Sequence, residues 1–122
     1  MWKWVAVAVT IASIIAPFSP ADATKLYIRE YRQLGTQQLG DTPQVGQEPG
    51  TAEQQIDFTG GATQSAAFNG ATRFVRVLCD VQCSVKFGTN PTATNVNMPL
   101  AAFTPEYFGV NAGDKVSVIV NP

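Results

Sequence analysis

The chemistry open to this chain is restricted, because its 122 residues include two cysteines and no histidine. Histidine is the most frequent general base and metal ligand in proteins, so its absence argues against catalytic triads that depend on it. Two cysteines alone cannot complete the four-ligand shell of a structural zinc ion. We therefore expect neither a metal site nor a cofactor.

The two cysteines, Cys79 and Cys83, lie in the stretch with the clearest β pattern. Alternating apolar residues over 72–79 and 83–88 predict two strands that fold back on each other over Asp80-Val81-Gln82 as a hairpin. Such a hairpin makes the thiols near neighbours that can form a disulfide. Because this disulfide closes only a small loop, it would stabilise the fold by about 2 kcal/mol. The alternative is a pair of buried free thiols that pack as small hydrophobic groups.

Three carboxylates, Asp57, Asp80 and Glu106, lie in or beside predicted strands and are the candidates for hydrolytic chemistry. A glycosidase needs two such groups at a defined separation, but the spacing of these three selects no pair. Asp80 is better explained as a turn residue, and Glu106 as a charge at the edge of a strand. We predict that the protein is not an enzyme.

Four aromatic residues are candidates for a binding surface: Tyr27, Tyr31, Tyr107 and Phe108. On an exposed sheet face they would form a stripe of the kind that stacks on sugar rings, which makes a glycan a candidate partner. The alternative is that these rings pack in the hydrophobic core, where aromatic side chains supply much of the buried area.

The charge of the chain argues against binding to nucleic acid. Only 14% of the residues are charged, the net charge is −1, and no run of basic residues occurs. Contact with a phosphate backbone needs clustered lysine and arginine. Arg73 and Arg76 fall on opposite faces of their predicted strand, so they form no basic patch.

The first 23 residues differ from the rest and have the features of a secretory signal peptide. Lys3 supplies a positive start, residues 5–16 form an apolar run, and Ala21-Asp22-Ala23 has the small-x-small form that is cleaved after Ala23. The apolar run is too short for a stable membrane span, which needs about 20 residues. Two alternatives remain open: an uncleaved membrane anchor, and an N-terminal hydrophobic extension that arises from a misplaced start codon.

Residues 24–122 are predicted to form one all-β domain, a single small antiparallel β-sandwich or jelly-roll-like barrel. Short segments of alternating pattern recur about every ten residues and are separated by Gly, Pro and Asn, as in sandwiches and barrels. Asn69-Gly70 is predicted to join the third and fourth strands as a tight hairpin. The predicted strands cover 24–34, 53–59, 65–68, 72–79, 83–88, 98–103, 106–110 and 115–120.

The segment 35–52 interrupts this pattern with four glycines and two prolines, so we predict a long loop there. Loops of this length without secondary structure are often functional. We interpret the segment either as an interaction arm or as a simple surface connection.

Two segments of the domain resemble small phage and prophage proteins encoded among virion structural genes. They are FNGATRFVRVLCDVQCSVKFGTNPTAT, residues 68–94, and LAAFTPEYFGVNAGDKVSVIV, residues 100–120. The similarity covers most of residues 25–120. Its most recognisable pieces are 72–77, 83–94 and 106–120. Proteins of this kind have no catalytic motif to carry over to this chain.

The resemblance implies a non-enzymatic virion accessory protein, either a capsid decoration protein or a head or tail component. Its partners would be other virion proteins, and the chain itself would form a homo-oligomer or bind to the capsid. Its location would be the virion. Virion proteins assembled in the cytoplasm need no export signal, so residues 1–23 depart from this pattern. They favour a second hypothesis, an exported carbohydrate-binding or adhesin-like β-module that is secreted or periplasmic.

Overall fold

The computed structural model describes residues 24–36 and 45–122. The predicted signal peptide or hydrophobic extension, with its cleavage site after Ala23, lies outside the described residues, as does the segment 37–44. Within the described ranges, no helix is long and apolar enough to cross a membrane.

The described residues form two antiparallel sheets of four strands each, which confirms the predicted all-β domain. The strands are β1 (Lys25–Tyr31), β2 (Ala52–Asp57), β3 (Thr63–Gln64), β4 (Phe74–Cys79), β5 (Cys83–Gly88), β6 (Met98–Leu100), β7 (Glu106–Gly109) and β8 (Lys115–Val120). Sheet A has the strand order β2-β1-β4-β7, and sheet B has the order β3-β8-β5-β6.

Alternating apolar residues explain why these segments form strands with one buried face. Leu26 and Ile28 of β1 lie on the core face of sheet A, and Val116 and Val118 of β8 meet them from sheet B. Fully burying side chains of this size contributes roughly 1.5–3 kcal/mol each. One apolar cluster fills the space between the sheets: Leu26, Ile28, Phe58, Phe68, Val75, Val77, Cys79, Cys83, Val85, Leu100, Val116 and Val118.

The predicted hairpin over residues 80–82 is wrong. β4 pairs with β1 and β7 in sheet A, whereas β5 pairs with β6 and β8 in sheet B. The three-residue link between Cys79 and Cys83 is therefore a corner between the two sheets. A hairpin and a corner aim the same alternating side chains at the core, so the local pattern is identical in the two cases.

Asn69-Gly70 also forms a turn, but the predicted hairpin is wrong. The amide of Thr72 donates to the carbonyl oxygen of Asn69 at 2.9 Å, as in a β-turn. The chain before the turn runs along β8 in sheet B, where the Ser65 amide donates to the Val116 carbonyl at 2.7 Å. The chain after it enters β4 in sheet A, so the turn joins the two layers.

Each sheet has a loop packed on its outer face. On sheet B, the loop 89–97 covers Ser117, whose hydroxyl oxygen accepts a hydrogen bond from the buried amide of Ala93 at 2.9 Å. On sheet A, the segment 45–51 covers the ring of Tyr31. A simple alternation of inward and outward residues would leave both side chains in solvent, whereas the structure buries them.

The described parts of the predicted loop at 35–52 are fastened to the sandwich. Three backbone hydrogen bonds extend the hairpin of β1 and β2: Gly35 to Val45 at 2.8 Å, Gln47 to Gln33 at 3.0 Å, and Thr51 to Glu30 at 2.8 Å. These hydrogen bonds hold residues at both ends of the predicted loop against the sandwich.

Gly46 is the residue that lets this segment approach Tyr31. A Cβ atom at position 46 would overlap the Tyr31 ring. We expect Gly46→Ala to lower the free energy of unfolding by about 2 kcal/mol, as at other overpacked sites. Urea denaturation measures this value, with Gly60→Ala as the control, because a Cβ atom at Gly60 meets nothing within 4 Å. Equal stability of the two variants would contradict the close contact.

Candidate binding surfaces

A disulfide joins Cys79 and Cys83, which confirms the bonded alternative for the two thiols. Their Cα atoms are 6.4 Å apart, and both residues are fully buried. Because Cys79 ends a strand of sheet A and Cys83 begins a strand of sheet B, the bond fastens the two layers at their corner. This position gives the disulfide a structural role.

Two of the three candidate carboxylates, Asp57 and Asp80, both lie next to Lys25, which is opposite Asp57 in the register of β1 on β2. Asp57 accepts hydrogen bonds from the hydroxyl and the amide of Thr59, and these lower the pKa of its carboxyl. Asp80 accepts a hydrogen bond from the Lys25 amide at 2.8 Å. Glu106 is exposed at the start of β7, an edge strand of sheet A. In the part of the chain that the structure describes, no three His, Cys, Asp or Glu residues are grouped as metal ligands.

Glu30 is a buried carboxylate that the sequence pattern did not single out. It lies 1% exposed on the core face of β1. It accepts hydrogen bonds from the Gln54 side chain at 3.1 Å, the Asn69 amide at 2.8 Å and the Thr72 hydroxyl at 2.9 Å. Glu30 therefore holds the turn that carries the chain from sheet B to sheet A. The available signal was an acidic residue on the apolar face of a predicted strand.

The predicted aromatic stripe is present in part on the outer face of sheet A. Tyr27, Tyr31 and Tyr107 share this face by their register, but only Tyr27 and Tyr107, at 42% and 46%, are exposed. Phe108 faces the core instead, where its ring lies 5.0 Å from that of Phe87. Neighbouring residues of a strand point to opposite faces, so Tyr107 and Phe108 cannot share one.

Three rings form an aromatic ridge at one end of this face. Tyr31 stacks on Phe74 with ring centroids 5.2 Å apart, and Tyr107 lies 6.4 Å from Tyr31 and 6.2 Å from Phe74. Pairs at such distances contribute about 0.5–1.5 kcal/mol beyond the burial of their area. The ridge ties together the adjacent strands β1, β4 and β7.

Polar contacts complete the cover over Tyr31. The Tyr31 hydroxyl donates to Oε1 of Glu48 at 2.9 Å, and Arg29 forms ion pairs with Glu48 and Glu53. Burial, together with the hydrogen bond to Glu48, raises the pKa of Tyr31 to about 12. The same hydrogen bond and the charge of Arg29 lower the pKa of the Glu48 carboxyl.

We expect the raised pKa of Tyr31 to make the protein less stable at high pH. Its pKa is 10.0 in an ordinary setting and about 12 in the fold, so the folded state favours the neutral phenol. This stabilisation is complete below pH 10 and is lost as the pH rises through 12. Urea denaturation of wild type and Tyr31→Phe across this window measures the effect, which the variant should lack. Parallel pH profiles of the two proteins would contradict it.

Beside the ridge, the outer face of sheet A contains a shallow depression of about 370 Å³. This volume is at the lower end of the range for ligand-binding pockets. The strands β2, β1 and β4 run side by side beneath it, and a strand spacing of about 4.8 Å gives it a width of about 10 Å. The side chains that line this sheet A depression from the outer face are Tyr27, Arg29, Glu53, Gln55 and Arg76.

Two arginines lie directly opposite each other beneath this depression, Arg29 on β1 and Arg76 on β4. Arg29 is held by ion pairs to Glu48 and Glu53. Arg76 forms no ion pair with any residue in the described ranges. Arg29, Arg76 and Glu53 give the lining a net formal charge of +1, and Glu48, which pairs with Arg29 from outside the lining, offsets it.

A second surface, the β6 edge, carries three exposed apolar side chains, Val96, Met98 and Phe103, which are 92%, 55% and 70% exposed. They lie on the edge strand of sheet B and on the loops that flank it. Phe103 has a φ angle of 55°, a left-handed conformation that costs a bulky residue roughly 1 kcal/mol. Its amide donates to the Cys79 carbonyl at 2.7 Å, which fixes the backbone that presents the ring.

Comparison with protein-family models, curated proteins and solved structures finds no match to this chain. The resemblance to phage virion proteins therefore stays a prediction. Among the described residues, the sheet A depression and the β6 edge are candidate binding surfaces.

Proposed function

We propose that this protein is a non-enzymatic virion accessory protein, of the capsid decoration or head and tail type, that acts through protein–protein contacts. The observation that supports it best is the β6 edge, where three large apolar side chains are exposed to solvent. Large apolar side chains exposed along one edge of a sheet are candidate contacts with another macromolecule. The partner is another virion protein or a second copy of this chain.

The chemistry of the β6 edge favours packing of side chains over addition of a strand. An edge strand can recruit a partner strand through its unpaired amide and carbonyl groups. Pro99, in the middle of β6, has no amide, and proline is a common means of protecting an edge from such pairing. The partner is therefore expected to bury the side chains of Val96, Met98 and Phe103 in a groove of its own.

Phe103→Gly in the full-length protein is expected to weaken association with the partner by roughly tenfold, the effect of losing one aromatic anchor. Glycine adopts the left-handed conformation without strain, so the variant should be as stable as wild type or up to about 1 kcal/mol more stable. Sedimentation velocity measures self-association, co-sedimentation with particles from the native source measures virion binding, and thermal denaturation measures stability.

Two further variants separate the β6 edge from the β1–β2 hairpin as the contact. Val45→Ser removes an exposed apolar side chain from that hairpin. Replacement of residues 36–44 by Asn-Gly closes the hairpin with a two-residue turn between the hydrogen-bonded Gly35 and Val45. We expect both variants to associate as wild type does. Loss of association here, with Phe103→Gly unaffected, would contradict a contact at the β6 edge.

A second function, that of an exported carbohydrate-binding or adhesin-like module, is supported by a different observation. The sheet A depression places the half-exposed ring of Tyr27 beside arginine, glutamate and glutamine side chains. An aromatic face can stack on the apolar face of a sugar, and planar polar groups can bind its hydroxyls. Titration of the protein with soluble oligosaccharides tests this function, which uses a different surface from the β6 edge and is independent of the first.

A further inference from the structure

We infer that the sheet A depression binds an uncharged oligosaccharide, with Tyr27 as the stacking platform and Arg76, Glu53 and Gln55 as hydrogen-bonding groups. The inference rests on the second proposed function and adds to it the class of sugar and the residues that bind it. Three observations support the inference: the register of strands β2, β1 and β4, the charges beneath the depression, and the size of the depression.

The register arranges the outer face in two rows that run across the strands. In the first row, Gln55 of β2, Tyr27 of β1 and Leu78 of β4 are direct neighbours. Tyr27 is not part of the aromatic ridge, and its ring stacks on no other aromatic ring in the described residues. The half-exposed ring therefore has apolar surface available for the C–H groups of a sugar.

The second row is polar and consists of Glu53 of β2, Arg29 of β1 and Arg76 of β4. Arg29 forms ion pairs with Glu48 and Glu53, which hold its side chain in place beneath the depression. The guanidinium of Arg76 presents a planar fork of donors that suits two adjacent hydroxyl oxygens. The carboxylate of Glu53 is 65% exposed and can accept from a hydroxyl in addition to its ion pair.

The charges under the depression favour an uncharged ligand. In the lining, Arg29 and Arg76 exceed Glu53 by one positive charge, and Glu48, which pairs with Arg29 from outside the lining, offsets it, so the attraction for a carboxylate or a sulfate is weak. The whole chain has a net charge of −1, which adds no attraction for a polyanion. Hydroxyl groups can both donate to Glu53 and accept from Arg76, whereas an anionic group could only accept.

The size of the depression suits a short stretch of sugar. Its volume of about 370 Å³ is small for a ligand site. Its width across β2, β1 and β4 of about 10 Å corresponds to roughly two sugar rings lying across the strands. Binding at such an open site depends on a few contacts, so each of them should be visible in a mutational test.

The test is titration of the full-length protein with four uncharged tetrasaccharides, cellotetraose, maltotetraose, laminaritetraose and mannotetraose, and with the acidic tetragalacturonate. Calorimetry measures affinity, and amide chemical shifts locate the site. We expect saturable binding of at least one uncharged sugar, with the largest shifts in β1, β2 and β4, and weaker or no binding of tetragalacturonate. Tyr27→Ala and Arg76→Ala should each weaken binding by about tenfold, and Lys86→Ala, exposed on sheet B, should not change it.

Three results would overturn the inference, and they differ in what they leave standing. Tighter binding of tetragalacturonate than of every uncharged sugar would overturn the class of ligand and leave a glycan-binding function. Binding of an uncharged sugar with shifts confined to sheet B would overturn the site. Absence of binding by all five sugars would overturn both the inference and the glycan-binding function.

Discussion

Glu30→Gln is expected to lower the free energy of unfolding by about 3 kcal/mol, although it preserves the size of the side chain. The carboxylate of Glu30 is buried and faces three donors, from Gln54, Asn69 and Thr72. A hydrogen bond to a charged group contributes about 1.5–3 kcal/mol, and a buried donor without a partner costs about 1–3 kcal/mol. The amide of a glutamine has one NH₂ group, itself a donor, which would face at least one of these donors and leave it without an acceptor.

The neighbouring amide cannot rotate to relieve this conflict. The Gln54 side chain accepts from the Ala66 amide at 2.9 Å and donates to the Ala66 carbonyl at 3.2 Å. A rotated Gln54 would break both hydrogen bonds, so its NH₂ group stays directed at position 30. The turn at Asn69–Thr72 is hydrogen-bonded to the same carboxylate. The substitution should therefore also weaken this turn, which carries the chain from sheet B to sheet A.

Urea denaturation of Glu30→Gln and of Glu53→Gln measures this prediction. Glu53 lies on β2 with its side chain exposed, and its exposed ion pair with Arg29 is worth about 0–1 kcal/mol. The control should therefore unfold close to the wild-type midpoint, and Glu30→Gln well below it. A difference of less than about 0.5 kcal/mol between the two variants would contradict the role of Glu30.

Removal of the disulfide by the double substitution Cys79→Ala, Cys83→Ala is expected to cost about 3 kcal/mol. About 2 kcal/mol comes from the entropy of a loop this small, and the rest from the packing lost with two buried sulfur atoms. The double variant is preferable to a single one, because it leaves no unpaired thiol in the core. Its unfolding is measured against wild type in the absence of reductant.

A reductant supplies the control for the same bond. Both cysteines are fully buried, so the folded protein should resist reduction. When wild type is unfolded in urea with reductant, its free energy of unfolding should approach that of the double variant. An unfolding free energy of the double variant within about 0.5 kcal/mol of wild type would contradict a stabilising bond at the corner.

Sequence reasoning predicted the fold class because the strongest strands carry strict alternation. The valines at 75 and 77 and those at 116 and 118 mark the core faces of β4 and β8, and the structure buries all four. Strand pairing is different, because it depends on residues far apart in the chain. β4 pairs with β1, and the paired residues are 43 (Tyr31 and Phe74) to 53 (Leu26 and Cys79) positions apart in the chain, so no local pattern predicts this pairing.

Single residues of the candidate site were predictable from the sequence, but their arrangement across the strands was not. Tyr27 and Tyr107 were singled out from the sequence and are exposed on one face, whereas Phe108 was misassigned although its place beside Tyr107 in a strand excludes a shared face. The pairing of Arg29 with Arg76 follows from the register of β1 on β4, which becomes visible only in the folded sheet. Glu30 was visible as an acidic residue on an apolar face, but its three donors come from other elements.

The proposed virion role depends on where the natural protein is found and in what form. Particles and soluble material from the native source are separated by density-gradient sedimentation, and the intact mass of the protein in each fraction is measured with and without reductant. We predict that the protein sediments with particles and gains two hydrogens on reduction, because Cys79 and Cys83 are bonded. A protein found only in the soluble exported fraction, with its mass beginning at Thr24, would contradict the virion role and leave the glycan-binding function.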